Sequence, residues 1–151
     1  MSVLFGGGSL TFKRNQYRST IVENFVDNFN SPHVQLHSLQ IGPLAKDADK
    51  FPTELLSREL SSDVSSFADT ARIIKNLDLV ISTCTSMVHL CGALGVPCWV
   101  LLDYSAHWLW GDHGDRSAWY KSLRFFRQPA PGDWRSVFDE ASVALLDWSQ
   151  S

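Results

Sequence analysis

The chain has no apolar run near the roughly 18–20 residues that a membrane-spanning helix needs. It also shows no charged-then-apolar leader ending in a small-residue cleavage site, so nothing marks it for export and the cytoplasm is the expected location. Cysteine is scarce, at three in 151 residues. Cys84, Cys91 and Cys98 fall on a turn, a helix and a strand, without the spacing of a metal site, and an odd count fits reduced thiols. Cys91 and Cys98 read as buried structural thiols, and no metal is expected. Positive charge is not in excess: 13 Lys and Arg stand against 16 Asp and Glu. Nucleic acid is therefore not an expected partner, since its non-specific binders carry a basic surface. The G-x-G-x-x-G fingerprint is missing, so ordinary dinucleotide binding is not indicated. No internal repeat, linker or low-complexity segment divides residues 1–151, which read as one domain able to bury a core.

What is present centres on residues 77–102. Leu79-Val80-Ile81 is an apolar run, followed by the small polar turn Ser82–Ser86. A short helix covers Met87 to Leu94, stopped by Gly95 and Pro97. A second apolar run covers Cys98 to Leu102. Strands without polar alternation belong in a parallel sheet covered on both faces. Ligands bind such sheets outside the carboxyl ends of the strands. The Ser82–Ser86 turn offers hydroxyls, backbone amides and the positive end of a helix dipole at such an end, which suits a phosphate.

Upstream, Val3-Leu4-Phe5 reads as a first strand running into the glycine turn Gly6–Gly8. Ser9–Ser19 carries Lys13, Arg14 and Arg18 and reads either as a solvated loop or as cations set near the Ser82–Ser86 turn. Thr20 and Glu23 form a capping-box pattern before a helix whose apolar face is Ile21, Val22, Phe25, Val26 and Phe29. Val34, Leu36 and Leu39 mark a second strand. Residues 43–64 are mixed and fit a short helix and a short strand. Ser65 or Ser66 caps a helix with Phe67, Ala71, Ile74 and Leu77 on one face. The alternation predicts an α/β fold with a mostly parallel sheet and helices on both faces.

All six tryptophans follow residue 98. Asp103–Gly132 packs Trp, Tyr, His, Asp and Arg together with few strand or helix signals, and reads as a long structured loop. Its aromatics either stack on a sugar or base or shield the sheet edge. Asp133 caps a last helix with Val137, Phe138, Ala141, Leu145 and Trp148 inward.

Several stretches together resemble one family. They are Phe67–Ala71, Leu77–Ser82, Thr85 with His89-Leu90, Gly92–Gly95, Trp99–Leu102, Trp119-Tyr120, Arg124, Phe126–Pro129 and Pro131–Trp134, with Lys13 and Arg18-Ser19 near the start. The chain resembles the C-terminal half of bacterial GT-B glycosyltransferases of the heptosyltransferase-like group. The nearest likeness is to the region that often follows tetratricopeptide repeats, with O-linked N-acetylglucosamine transferases as more distant relatives.

The resemblance implies a single Rossmann-like domain that binds a nucleotide-diphosphate sugar as donor, with no cofactor. It implies diphosphate contacts from Thr85 and Ser86, charge balance from Lys13 and Arg18, and His89 either at the ligand or packed under the turn. It sets Gly8, Asp69, Thr70, Cys84 and Trp108 around the nucleotide or sugar, with capping as the other reading of Asp69 and Thr70. The departures are Cys84-Thr85 where the family has Asp-Thr, Leu109 where it has Arg between tryptophans, and Ala118 and Lys121 where prolines flank Trp-Tyr. Glycosyl transfer is expected to require an N-terminal acceptor half, and the face that would meet it is expected to be apolar and prone to self-association. The alternative is a non-catalytic binding or protein-interaction module with the same fold.

Overall fold

The computed structural model describes residues 2–6, 17, 19–40, 46, 49, 56–59 and 64–150. Six strands form one parallel sheet: β1 (Ser2–Gly6), β2 (Gln35–Ser38), β3 (Leu56–Glu59), β4 (Leu79–Thr83), β5 (Cys98–Leu102) and β6 (Leu123–Arg127). Their order across the sheet is β3-β2-β1-β4-β5-β6. The chain thus starts in the middle, winds to one edge, returns, and winds to the other. This is a doubly wound, Rossmann-like arrangement, as the alternating pattern predicts.

β4 and β5 are buried along their whole length, which explains why neither shows polar alternation. Their side chains divide by parity between two cores. Leu79, Ile81, Trp99 and Leu101 face α1 (Val22–Phe29) and α4 (Trp134–Ser149). Val80, Cys98, Val100 and Leu102 face the opposite layer, which holds α2 (Phe67–Ile74) and α3 (Ser86–Leu94). On the first face Phe138 of α4 meets Phe25 and Phe29 of α1 at ring separations of 5.1 and 5.6 Å, locking the two helices together. On the second face Cys91 and Cys98 are buried and unoxidised, as expected. The neighbouring Cys91 side chain and burial push the Cys98 thiol well up, so it stays protonated.

The helix boundaries follow local chemistry, with three corrections. Gly95 ends α3 in the left-handed conformation at φ 70°, as its position predicts. The Thr20–Glu23 capping box does not form: Ile21 is the N-cap of α1, and Thr20 Oγ1 instead accepts from Asn24 Nδ2 at 2.7 Å. Ile21, read as part of the apolar face, is exposed at that cap. In α2 the inward face is Thr70, Ile73 and Ile74, with Leu77 packing just beyond the helix, and Phe67 is 63% exposed. The face rotates because Thr70 can be buried with its hydroxyl donating to the Ser66 carbonyl. Trp148 is also less inward than expected, resting one edge on Trp99 at 6.2 Å.

The largest correction is β6, which lies inside the stretch read as loop. Leu123 and Phe125 face one core and Phe126 the other. Arg124 and Arg127 interrupt the apolar pattern, yet both lie over aromatic rings: Arg124 is 4.8 Å from Phe126, and Arg127 is 5.1 Å from Phe125. The outer edge of β6 is partly covered by Asp115 and Arg116, through Phe125 N–H donating to the Asp115 carbonyl at 2.8 Å and an antiparallel bridge from Arg116 to Arg124.

Gly92 shows how the second layer closes. A Cβ at this position would overlap the Tyr120 ring at Cγ, Cδ1 and Cδ2. Gly to Ala inside a helix ordinarily gains about 1 kcal/mol. Here Gly92→Ala is expected to lose about 1–3 kcal/mol, because the Tyr120 ring must leave its seat. Urea unfolding of the variant reads the sign directly.

Candidate functional site

The parallel register brings two predicted segments together. Gly6 of β1 pairs with Ser82 of β4, so the carboxyl end of β1 lies beside the start of the Ser82–Ser86 turn. Strand order reverses between these two strands, and that crevice is where open α/β sheets bind ligands. Gly8, Lys13 and Arg18 lie outside the described residues.

Within the Ser82–Ser86 turn the hydroxyls bond one another. Ser82 Oγ donates to the Thr83 carbonyl at 3.0 Å and lies 3.2 Å from Thr85 Oγ1. Thr85 is the N-cap of α3, yet its side chain makes no hydrogen bond to the helix. Its hydroxyl is turned to Ser82, and the amides at the start of α3 keep no side-chain cap. Ser86, the first helical residue, is exposed. The Val88 amide donates to the Thr85 carbonyl at 3.1 Å, which leaves the Ser86 and Met87 amides, with the helix dipole, as the anion-favouring feature of this helix start.

Cys84 and His89 are held in an aromatic cluster. The Trp110 indole N–H donates to Cys84 Sγ at 3.1 Å. His89 stacks on Trp110 at 5.1 Å, and its Nδ1 lies 3.3 Å from the Tyr120 hydroxyl. His89 itself is exposed, with one ring face against Trp110. Trp110 is buried and meets Phe125 edge-on at 5.5 Å. The stretch that carries it is held by Arg127, whose Nε and Nη2 donate to the carbonyls of Gly114 and Trp110 at 2.8 and 2.5 Å, and whose Nη1 donates to Gly111 at 3.1 Å. Trp119 donates its indole N–H to the Leu109 carbonyl at 3.2 Å. Trp110 therefore covers the sheet rather than offering a face for stacking. Trp108 is 76% exposed and packs only loosely on His107, apart from the Cys84 cluster.

Asp69 is engaged at the cap of α2, and Thr70 donates its hydroxyl to the Ser66 carbonyl. The Asp69 carboxylate accepts from the hydroxyls of Ser66 and Ser65 at 2.7 and 2.8 Å and from the Ser65 amide at 3.2 Å, and it pairs with Arg72. Ser66 Oγ in turn accepts from the Asp69 amide. The Ser66 hydroxyl, then the Ser65 hydroxyl and the Arg72 guanidinium, hold the carboxyl well below the usual carboxylate range.

A further opening lies elsewhere on the same sheet end. A 620 Å³ cavity sits over the carboxyl ends of β5 and β6, between the starts of α1 and α4. Asp103 and Gln128 are both buried there. They extend the buried faces of β5 and β6 by one residue pair beyond Leu101 and Phe126, which are themselves register partners. Tyr17, Ile21 and Tyr104 stand exposed around the cavity, and Trp134 forms part of its wall. These residues do not appear among the sequence-derived candidates. The available signal was a polar side chain directly after each apolar strand, on the parity of the buried face. Ile21, Tyr104 and Tyr17 also give this end an exposed apolar component.

Among the described residues no group of three or more His, Cys, Asp or Glu could hold a metal ion, and no helix is long and apolar enough to cross a membrane. No protein-family model and no curated protein matches the chain.

The Asp69 cap has a defined pH signature. The folded pKa lies below the ordinary 3.8, so its stabilisation is full above that value and is lost as pH falls through the folded one. Asp69→Asn is expected to lower the melting temperature at neutral pH, with the gap to the unaltered chain closing below about pH 4. Melting curves from pH 7 to 2.5 test this; a gap that persists unchanged into acid contradicts it.

Proposed function

We propose that the chain is the donor-binding domain of a GT-B glycosyltransferase of the heptosyltransferase-like group, taking a nucleotide-diphosphate sugar across the crevice between β1 and β4. The observation that carries this reading is the pairing of Gly6 with Ser82 beside an α3 whose N-cap hydroxyl is turned away from the helix. In the proposed complex the diphosphate lies against the amides of Ser86 and Met87. Lys13 and Arg18, from the segment after β1, balance its charge. Amides and cations fixed in advance stabilise a diphosphate more strongly as charge builds on it during departure. The acceptor and the catalytic base belong to another half in this reading, so the chain binds donor without completing transfer.

A second reading is a binding or interaction module without catalysis. One observation favours it: Cys84, at the family's Asp position, is occupied by the Trp110 indole, and His89 is stacked against the same ring. Both side chains serve packing there.

Thermal unfolding with nucleoside diphosphates and their sugars tests the donor reading. A ligand at 100 times its dissociation constant adds about 2.7 kcal/mol. Each kcal/mol moves the midpoint of a domain this size by about 2–4 °C. One nucleotide is expected to raise the midpoint by several degrees. Ser86→Asp separates stability from binding: a carboxylate at a helix start is favourable for the free protein, but it repels a diphosphate. The variant is expected to melt no lower than the parent and to lose the nucleotide-induced rise. A rise that survives Ser86→Asp, or none with any nucleotide at millimolar concentration, contradicts the reading.

A further inference from the structure

The side chain of His89 is divided between packing and display. It is the fourth residue of α3, three after Ser86, so the two lie on one face of the helix. The Cα–Cβ bonds of a helix tilt toward its start, which leans the imidazole toward the Ser82–Ser86 turn. The packing agrees. Trp110 stacks on His89 at 5.1 Å and donates its indole N–H to Cys84 Sγ in that turn, so one indole spans both. One ring face of His89 is thus covered, and Nδ1 lies 3.3 Å from the Tyr120 hydroxyl. The residue is nevertheless exposed, and its Nε2 has no hydrogen-bond partner among the described residues.

Tyr120 decides which ring nitrogen carries the proton. A phenol O–H is a stronger donor than a neutral imidazole N–H, and an imidazole nitrogen is a stronger acceptor than a phenol oxygen. The Tyr120 hydroxyl therefore donates to Nδ1, and the proton of the neutral ring sits on Nε2. The Tyr120 ring is itself held in place. It stands edge-on to His89 at 5.9 Å and fills the space that a Cβ at Gly92 would need. A tyrosine seated on the flank of α3 thus sets both the orientation and the tautomer of the imidazole.

We propose that Tyr120 is a positioning residue that holds His89 as the Nε2–H tautomer, and that this N–H is a donor to the phosphate-bearing ligand at the start of α3. The role rests on the donor reading of that helix start and adds to it a residue from outside the Ser82–Ser86 turn. A neutral donor of this kind orients a phosphate oxygen without adding a fixed cation.

Long-range 1H–15N correlation of the histidine rings in the full chain reads the tautomer directly at about pH 8.5, on the neutral side of the ordinary histidine range. His89 is expected to carry its proton on Nε2. Tyr120→Phe keeps the ring against Gly92 and is expected to move the balance toward Nδ1–H. Inorganic pyrophosphate offers the diphosphate without a base. It is expected to shift the His89 Nε2 signal together with the Ser86 and Met87 amides, and to bind Tyr120→Phe about three- to tenfold more weakly, on the scale of one hydrogen bond. In a His89→Gln background the side chain has no tautomer to set, so Tyr120→Phe is expected to change the affinity no further. A proton on Nδ1 in the parent overturns the proposal, as does a Tyr120→Phe protein with unaltered tautomer or unaltered pyrophosphate affinity. So does an equal loss in the His89→Gln background, because the hydroxyl would then be structural. Movement of the Ser86 and Met87 amides with His89 Nε2 unmoved overturns this role and keeps the donor reading. No response at any of the three, with pyrophosphate or a nucleoside diphosphate, overturns both.

Discussion

The parallel pairing of β1 with β4 is the constraint on which the ligand-facing end of this protein depends. β4 sits at the reversal of strand order, between β1 and β5, and is buried on both faces. A one-residue slip in a strand of this kind exchanges its two faces. It would carry Ile81 out of the α1–α4 core and Val80 out of the α2–α3 core. The packing on both sides therefore holds the register that sets Gly6 next to Ser82. Burial far from the sheet end thus decides which turns stand side by side at that end.

A second dependence runs through Arg127. Its guanidinium spans three carbonyls of the tryptophan-bearing stretch while its carbon chain stays in β6. Partial burial lowers its pKa without approaching deprotonation, and Asp112 acts in the opposite sense. Fastened in this way, Trp110 reaches across to Cys84 and gives His89 a ring to stack on. The aromatic stretch is consequently part of the second core. Its rings shield α3 and β6, and the exposed rings of Trp108 and Trp119 lie at its outside. The sulfur at position 84 fits this role well: it accepts the indole N–H at the rim of an apolar layer without bringing a charge into it.

The α/β class, the glycine stop of α3 and both buried strands were legible in the sequence because each rests on a local signal: an apolar run, a helical period or a left-handed cap. β6 was not legible, since its arginines are satisfied by ring faces and distant carbonyls, and such partners leave no trace in local periodicity. The inward face of α2 was misread for a related reason: Thr70 looks polar until its hydroxyl finds the Ser66 carbonyl. At the candidate site, the turn before α3 was legible from its small polar residues between an apolar run and a helix. Asp69 bonds the two serines at the start of α2, whereas the Thr70 hydroxyl donates back to the Ser66 carbonyl. Asp103 and Gln128 escaped notice because their meaning comes from adjacency across strands, with residues 103 and 128 far apart in the chain.

The central claim is that the uncapped start of α3, set beside the end of β1, receives an anionic ligand. The most direct measurement is the change in backbone amide chemical shifts as a nucleoside diphosphate is titrated into the 15N-labelled chain. The account predicts that the amides of Ser86 and Met87 move most and saturate together. Changes confined to other parts of the molecule, with those two amides unmoved at saturation, would contradict it.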